Sequence, residues 1–207
     1  MYSLPERFGG ADLTAGTSLL VTGPPMTGKR RVGLDVLANG AAIGDGAIVV
    51  TTKDDAERVL DEYRSLAGDA DPESADIGVV DCVSRQQGVD ELPDARISYV
   101  SSPEDMTGIG IKFSEFVEEF YTGRNVKQNR VALDSLSTLL MYSDLQTVFR
   151  FMHVLTSRIE DADAIGLHVI ESTAHDQESL NTLKQLYDGI VEVEADESVT
   201  LRLPGTA

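Results

Sequence analysis

The chain of 207 residues has no tryptophan and one cysteine, Cys82. A lone thiol excludes an intramolecular disulfide and any Cys-rich metal site, and it suits a reducing compartment. Basic charge is scarce: 17 Lys and Arg face 35 Asp and Glu, giving a formal charge of −18. Only five of those cations are Lys, and 20 of the acids are Asp. Such a field repels DNA, RNA and anionic membrane unless a local basic patch overcomes it. The one cluster, Arg124, Lys127 and Arg130, is thin, so nucleic acid is not an expected partner. An acidic, Lys-poor surface is what a salt-rich cytosol permits, because ionic strength screens self-repulsion. Halophilic, cytoplasmic origin is the expectation. Long apolar runs are also missing. Runs such as Ala47 to Val50 are far too short to span a bilayer, and no basic-then-apolar leader opens the chain, so membrane insertion is not expected.

What is present is an ordinary globular composition, 42% apolar, at a length that suits one domain when ~150 residues is the norm. No Gly-, Ser- or Pro-rich linker divides it, so residues 1–207 are expected to form a single domain. Short β-branched runs alternate with amphipathic segments, the pattern of helices wound around a parallel sheet. Strands are expected at Ser18–Thr22, Ala47–Thr52, Ile77–Val83, Ile97–Val100, Arg130–Asp134 and Gly166–Ser172. Helices are expected at Lys29–Asn39, Asp54–Leu66, Gly110–Tyr121, Leu145–Ile159 and Ser179–Leu186. Gly40 stands where a helix-ending glycine belongs, residues 68–76 read as a loop, and Gly189–Val193 with Ser198–Leu203 should close the fold as a hairpin.

The first strand runs into Gly23-Pro24-Pro25-Met26-Thr27-Gly28-Lys29 and then a helix. This is G-x-x-x-x-G-K in the strand–loop–helix context that the motif requires. Its glycines let backbone amides turn inward as an anion nest. The helix N-terminus adds positive potential, and the Lys ammonium reaches the β- and γ-phosphates. The next residue departs from the rule. Where a Ser or Thr hydroxyl would ligate Mg²⁺, the chain has Arg30, followed by Arg31. A guanidinium has no lone pair and cannot ligate a cation. Arg30 either lies against the phosphates, partly replacing the metal's charge, or points away and leaves the metal weakly held. A solvent-facing Arg with no task is the third reading.

Arg130-Val131-Ala132-Leu133-Asp134 is an apolar strand ending in Asp, the pattern of a Walker B strand. Placed at the carboxyl end of a strand adjoining the phosphate strand, Asp134 could hold a metal through water.

The ordered set of segments resembles a RecA-fold ATPase of the KaiC-like family. Four segments carry the resemblance. They are Phe8-Gly9-Gly10 through Gly16-Thr17 with the strand and Gly23 to Lys29; Ile48-Val49-Val50-Thr51-Thr52-Lys53-Asp54-Asp55; Arg130 to Leu136; and Tyr187-Asp188-Gly189-Ile190-Val191-Glu192-Val193-Glu194 with a final strand. The resemblance implies a three-layer RecA-like α/β fold with a central, mostly parallel sheet, in a divergent, haloarchaeal branch. It also implies ATP or ADP as ligand, at Gly23, Pro24, Pro25, Met26, Thr27, Gly28, Lys29, Arg30 and Arg31, with Mg²⁺ possible but weakened at Asp134. Self-association, or docking on a related ATPase or signalling partner, is implied too.

The family places a pair of Glu after the second strand to activate water, and the matching positions are Lys53 and Asp54. Lys53 puts a cation where a carboxylate is needed. Asp54 could serve as base, or as a helix N-cap, which its residue type favours. The family's Lys-x-Arg, which reaches a neighbouring subunit's nucleotide, becomes Arg202-Leu203-Pro204. Ser172 and Thr173 lie where a γ-phosphate sensor would, or they only satisfy local backbone groups. Glu171, inside its strand, either replaces the missing base or sits at a strand end, and it needs a partner if buried. His153, His168 and His175 lack metal spacing and read as surface or satisfied histidines. Cys82 reads as a small buried hydrophobe.

Four functions follow. A nucleotide-binding regulatory module with weak or absent hydrolysis fits the losses at positions 30, 53 and 204 best. A working ATPase using Asp54 or Glu171, an interaction scaffold binding no nucleotide, and a recombinase-like DNA binder are the alternatives, the last disfavoured by charge.

Overall fold

A computed structural model describes residues 1–68 and 76–204. The expected loop at 68–76 therefore lies, apart from its two ends, outside the described residues. In chain order the elements are β1 (Tyr2–Ser3), β2 (Asp12–Leu13), β3 (Ser18–Gly23), α1 (Lys29–Ala41), β4 (Gly46–Thr51) and α2 (Ala56–Ala67). Then come β5 (Ile77–Asp81), α3 (Ser84–Gln87), β6 (Ile97–Tyr99), α4 (Met106–Glu118), β7 (Asn129–Asp134) and α5 (Leu136–Tyr142). The chain continues with α6 (Leu145–Asp161), β8 (Ile165–Glu171), α7 (Gln177–Lys184), β9 (Gly189–Val193) and β10 (Val199–Arg202).

Eight strands form one sheet in the order β10-β9-β3-β8-β7-β4-β5-β6, and all neighbours are parallel except the β9–β10 hairpin. β3, β4 and β7 are buried along their whole length, as expected of parallel strands covered on both faces, whose sequences become continuous apolar runs. The alternating side chains sort into two cores. On one face Leu19, Val21 and Val49 pack against Val36 and Leu37 of α1 and Val59 and Tyr63 of α2, joined by Tyr2 and Leu13 of the β1–β2 pair. On the other, Leu20, Ile48 and Leu133 meet Phe113 of α4, Leu139 of α5, Met152 and Ile159 of α6 and Leu183 of α7. Met152, Ile159 and Leu183 are fully buried, each contributing about 1.5–3 kcal/mol of burial. The result is the expected three-layer RecA-like architecture with a terminal hairpin.

Three local expectations are corrected. The strand of Asp134 does not adjoin the phosphate strand, because β8 lies between them, pairing with β3 on one side and β7 on the other. Gly40 does not end its helix. α1 continues to Ala41, and a Cβ at Gly40 would run into Nε and Cδ of Arg130. The basic cluster also dissolves. Arg130 is wholly buried, paired with Asp45 at 2.8 Å and donating to the carbonyls of Ser3 and Val36 at 2.9 Å. Arg124 is engaged by Glu119 at 2.6 Å and Asp76 at 3.2 Å. Lys127 is exposed and, among the described residues, has no ion-pair partner.

Candidate functional site

The carboxyl ends of β3, β4, β7 and β8 lie on one edge of the sheet because these strands pair in parallel. The strand ends hold the loop from Gly23, the residues after Thr51, Asp134 and Glu171 together. Gly23 is required where it stands, since a Cβ there would strike the Val193 carbonyl oxygen of β9. The loop then turns through Met26, at φ 62°, and Gly28, at φ 76°, into α1. Met26 forms its tip, 99% exposed. The amides of the first turn of α1 have no intrahelical acceptors, and Thr27 Oγ1 braces the loop by donating to Pro24 O at 2.9 Å.

Lys29 is 4% exposed and its ammonium is enclosed. Nζ donates to the Pro24 carbonyl, lies 3.4 Å from Thr27 Oγ1 and meets Glu171 Oε2 at 2.8 Å. Lys53 Nζ stands 3.7 Å from the other Glu171 oxygen. Beside this pair lies a second ionic cluster centred on Arg30. Its guanidinium pairs with Asp54 through Nη1, with Glu62 Oε2 at 3.1 Å, and faces Asp134 Oδ2 at 3.8 Å. Arg58 holds the second Asp54 oxygen at 3.0 Å. Lys29, Arg30, Lys53, Asp54, Asp134 and Glu171, with Met26, Thr27, Gly28 and Val169, line a small cavity of about 130 Å³.

The Asp134 carboxyl is pushed above the usual carboxylate range by burial. Arg30 and Lys53 pull it back in part, while Glu171 and Glu62 add to the rise. Among the described residues, Arg30 Nη2, Asp134 Oδ2 and Glu171 Oε2 are buried at this cleft without a well-formed hydrogen bond. For Glu171 the 2.8 Å approach to Lys29 is thus an ion pair without hydrogen-bond alignment. Orphaned buried groups are rare in folded proteins, and these three stand ready to bond a water or ligand in the cleft.

The model of a family of unknown function, DUF7504, matches residues 16–193. The chain belongs to that family. None of the curated proteins compared with it matches. Among solved structures, this DUF7504 chain is similar to a KaiC-like protein from the hyperthermophilic archaeon Pyrococcus horikoshii OT3, at 16% identity and a TM-score of 0.63. The match covers 93% of this chain and 79% of that one. At that identity the likeness concerns the fold.

Of the residues singled out in the DUF7504 chain, Met26, Thr27, Gly28, Lys29, Arg30, Asp54, Asp134 and Glu171 share the cavity. Gly23 and Pro24 shape the loop from behind, while Pro25 and Arg31 are exposed and do not line it. Asp54 is not the helix cap. That role belongs to Asp55, which accepts from Arg58 N at 2.9 Å, and Asp54 is thereby left facing Arg30. Ser172 and Thr173 lie off the cavity, and the Ser172 amide donates to Gly23 O at 3.0 Å. The histidines divide three ways. His153 is exposed, His175 Nε2 meets Ser137 Oγ at 2.8 Å, and His168 is fully buried with neither ring nitrogen bonded among the described residues. The expectation of a surface or satisfied residue therefore fails at His168. Among the described residues no group of histidines, cysteines and carboxylates is arranged to hold a metal. Arg202 pairs with Glu192 of its own hairpin at 2.8 Å. Glu62 is the site residue that sequence reasoning missed. Its signal was the i,i+4 step from Arg58, which continues the line of charges that starts at Asp54.

Proposed function

We propose that this protein is a nucleotide-binding regulatory module that takes ATP or ADP, with hydrolysis weak or absent. The supporting observation is the Arg30 guanidinium seated among Asp54, Glu62 and Asp134, where a phosphate loop ordinarily organises its metal. Phosphate fits the donors present. The first-turn amides of α1, the Gly23-to-Lys29 loop and the Lys29 ammonium are an anion cradle, and orphaned Arg30 Nη2 adds a further donor. Mg²⁺ does not fit them. Position 30 offers no oxygen, and the carboxylate of Asp134 faces a cation at 3.8 Å. Binding in this reading is metal-independent, with Arg30 supplying the compensating charge.

Weak turnover follows from the same contacts. Asp54 is engaged by two guanidinium groups and Glu171 by two ammonium groups. Held in these pairs, neither carboxylate is open to receive a proton from water, and geometry comes first for a general base; a Glu171 freed from Lys29 would still face the Lys53 ammonium. Occupancy of the cleft would then act by shifting a population between two states of the carboxyl edge. In the same reading the chain works as one domain in a salt-rich cytosol and acts by self-association or by docking on a related ATPase or signalling partner.

A second reading, an interaction scaffold that binds no nucleotide, is favoured by the small volume of the cavity and its internal charge pairing. Titration calorimetry with ATP and ADP, with and without Mg²⁺, separates the two. Binding that is indifferent to Mg²⁺ and lost in Lys29→Ala supports the module. Absence of heat and of any thermal shift supports the scaffold. Phosphate release above background and abolished by Lys29→Ala would restore the working ATPase.

A further inference from the structure

We infer that Glu171 is a built-in stand-in for a phosphate group, a carboxylate that holds the Lys29 ammonium when the cleft is closed and must swing away for a nucleotide to enter. This rests on the nucleotide-binding reading above and concerns how that site is regulated.

The geometry carries it. Lys29 is the residue that a phosphate loop aims at the terminal phosphates, and here its ammonium already faces an anion, Glu171 Oε2, at 2.8 Å. Both are largely out of water, with side chains 3% and 17% exposed, so neither can simply be hydrated in the other's absence. An incoming phosphate oxygen and Glu171 Oε2 compete for the same ammonium. They also repel each other if both remain, which makes binding and displacement mutually dependent. Glu171 reaches this position because β8 lies next to β3, with Glu171 in register with Gly23 at the root of the loop.

The backbone is pinned on both sides of the movable group. The Glu171 amide donates to Ser137 Oγ at 2.9 Å, and the Ser172 amide donates to Gly23 O at 3.0 Å. Displacement is thus a side-chain rotation rather than a rebuilding of the strand. Lys53, 3.7 Å from Oε1 and 55% exposed on its side chain, stands at the mouth of the cleft as the cation that receives the released carboxylate. The closed state is therefore held by Lys29–Glu171, and the open state by Lys29–phosphate with Glu171 moved toward Lys53.

A competing internal anion lowers apparent affinity by the fraction of molecules in which the cleft is closed. If that fraction is nine-tenths, the loss is about tenfold. Glu171→Gln keeps the size of the side chain and the backbone bond to Ser137, and it removes the charge. The test measures ATP and inorganic pyrophosphate affinity by calorimetry in the parent, in Glu171→Gln and in Lys29→Ala, with thermal melts verifying that each is folded. The expected result is about tenfold tighter binding of both ligands to Glu171→Gln and none to Lys29→Ala. Pyrophosphate reports the phosphate contact without the base. If the parent binds ATP and Glu171→Gln binds it equally or more weakly, Glu171 is a ligand or a bystander. The stand-in role is then overturned while nucleotide binding survives. If none of the three binds either ligand, both readings fall together. Glu171→Ala serves as the second variant should the Gln protein misfold, with the same outcomes.

Discussion

Arg30→Ser is the most searching perturbation of the cleft, because it restores a hydroxyl at the position where a metal ligand belongs and removes the cation that replaces the metal. In the parent, Arg30 faces Asp54, Glu62 and Asp134 with its own side chain 17% exposed. Taking one partner from a buried ion pair costs about 3–5 kcal/mol. Partial exposure returns some hydration to the stranded carboxylates, so a loss of about 2–4 kcal/mol is expected. For a chain of this size that is a drop of about 5–15 °C in melting temperature. Glu62 and Asp134 would then lose the Arg30 cation, Asp54 would keep only Arg58, and a hydroxyl would stand beside them, so the variant should accept Mg²⁺. Saturation to a hundredfold over Kd returns about 2.7 kcal/mol. The assay is thermal denaturation without nucleotide, in EDTA and in MgCl₂, for parent and variant side by side. The expected pattern is a parent indifferent to Mg²⁺ and a variant that melts early in EDTA and recovers in MgCl₂. A parent stabilised by Mg²⁺, or a variant as stable as the parent in EDTA, would refute the assignment of Arg30 to the metal's place.

Gly40→Ala tests the buried arginine. Helix propensity alone favours Ala by about 1 kcal/mol, but the added methyl meets Arg130 Nε and Cδ, and overpacking costs about 1–3 kcal/mol. Denaturant titration should show a net loss of stability, and a gain would contradict the packing. His168→Leu tests the unpartnered imidazole, whose pKa is lowered to about 3 by complete burial. The folded ring stays neutral while the unfolded ring takes a proton near pH 6.5, so the unfolded state binds more protons and stability falls as pH drops through that range. At about 1.4 kcal/mol per pH unit, the parent should lose roughly 2–3 kcal/mol between pH 6.5 and 4.5 through this group. His168→Leu should flatten the profile of chemical-denaturation midpoints against pH, and an unchanged slope would rule the mechanism out.

Where charge, register and neighbours decide a side chain's fate, the local sequence was a poor guide. Arg130 reads as part of a basic surface because nothing in its own strand says otherwise. It is interior because Asp45, 85 positions away, and the missing side chain of Gly40 make room and supply a counter-charge. Asp54 and Asp55 are equally good N-caps by residue type. The choice fell to Asp55, and that leaves the Asp54 carboxylate turned toward α1. Glu171 looked like an unexplained acid in a strand until β8 was found beside the phosphate strand.

The sequence by itself determined the alternation of strands and helices, the class of helices wound around a parallel sheet and the phosphate-type loop. Each of these is written in local periodicity and in glycine positions, and both act over a few residues. It also determined which residue types reach the carboxyl edge. Only the tertiary structure decided which charges meet there. Strand order placed β8 between β3 and β7, and burial then set Asp54, Asp134 and Glu171 against cations from other segments, because an unpaired charge out of water costs several kcal/mol. Pairing across 24 positions, as in Arg30–Asp54, and 142 positions, as in Lys29–Glu171, is a property of the folded edge.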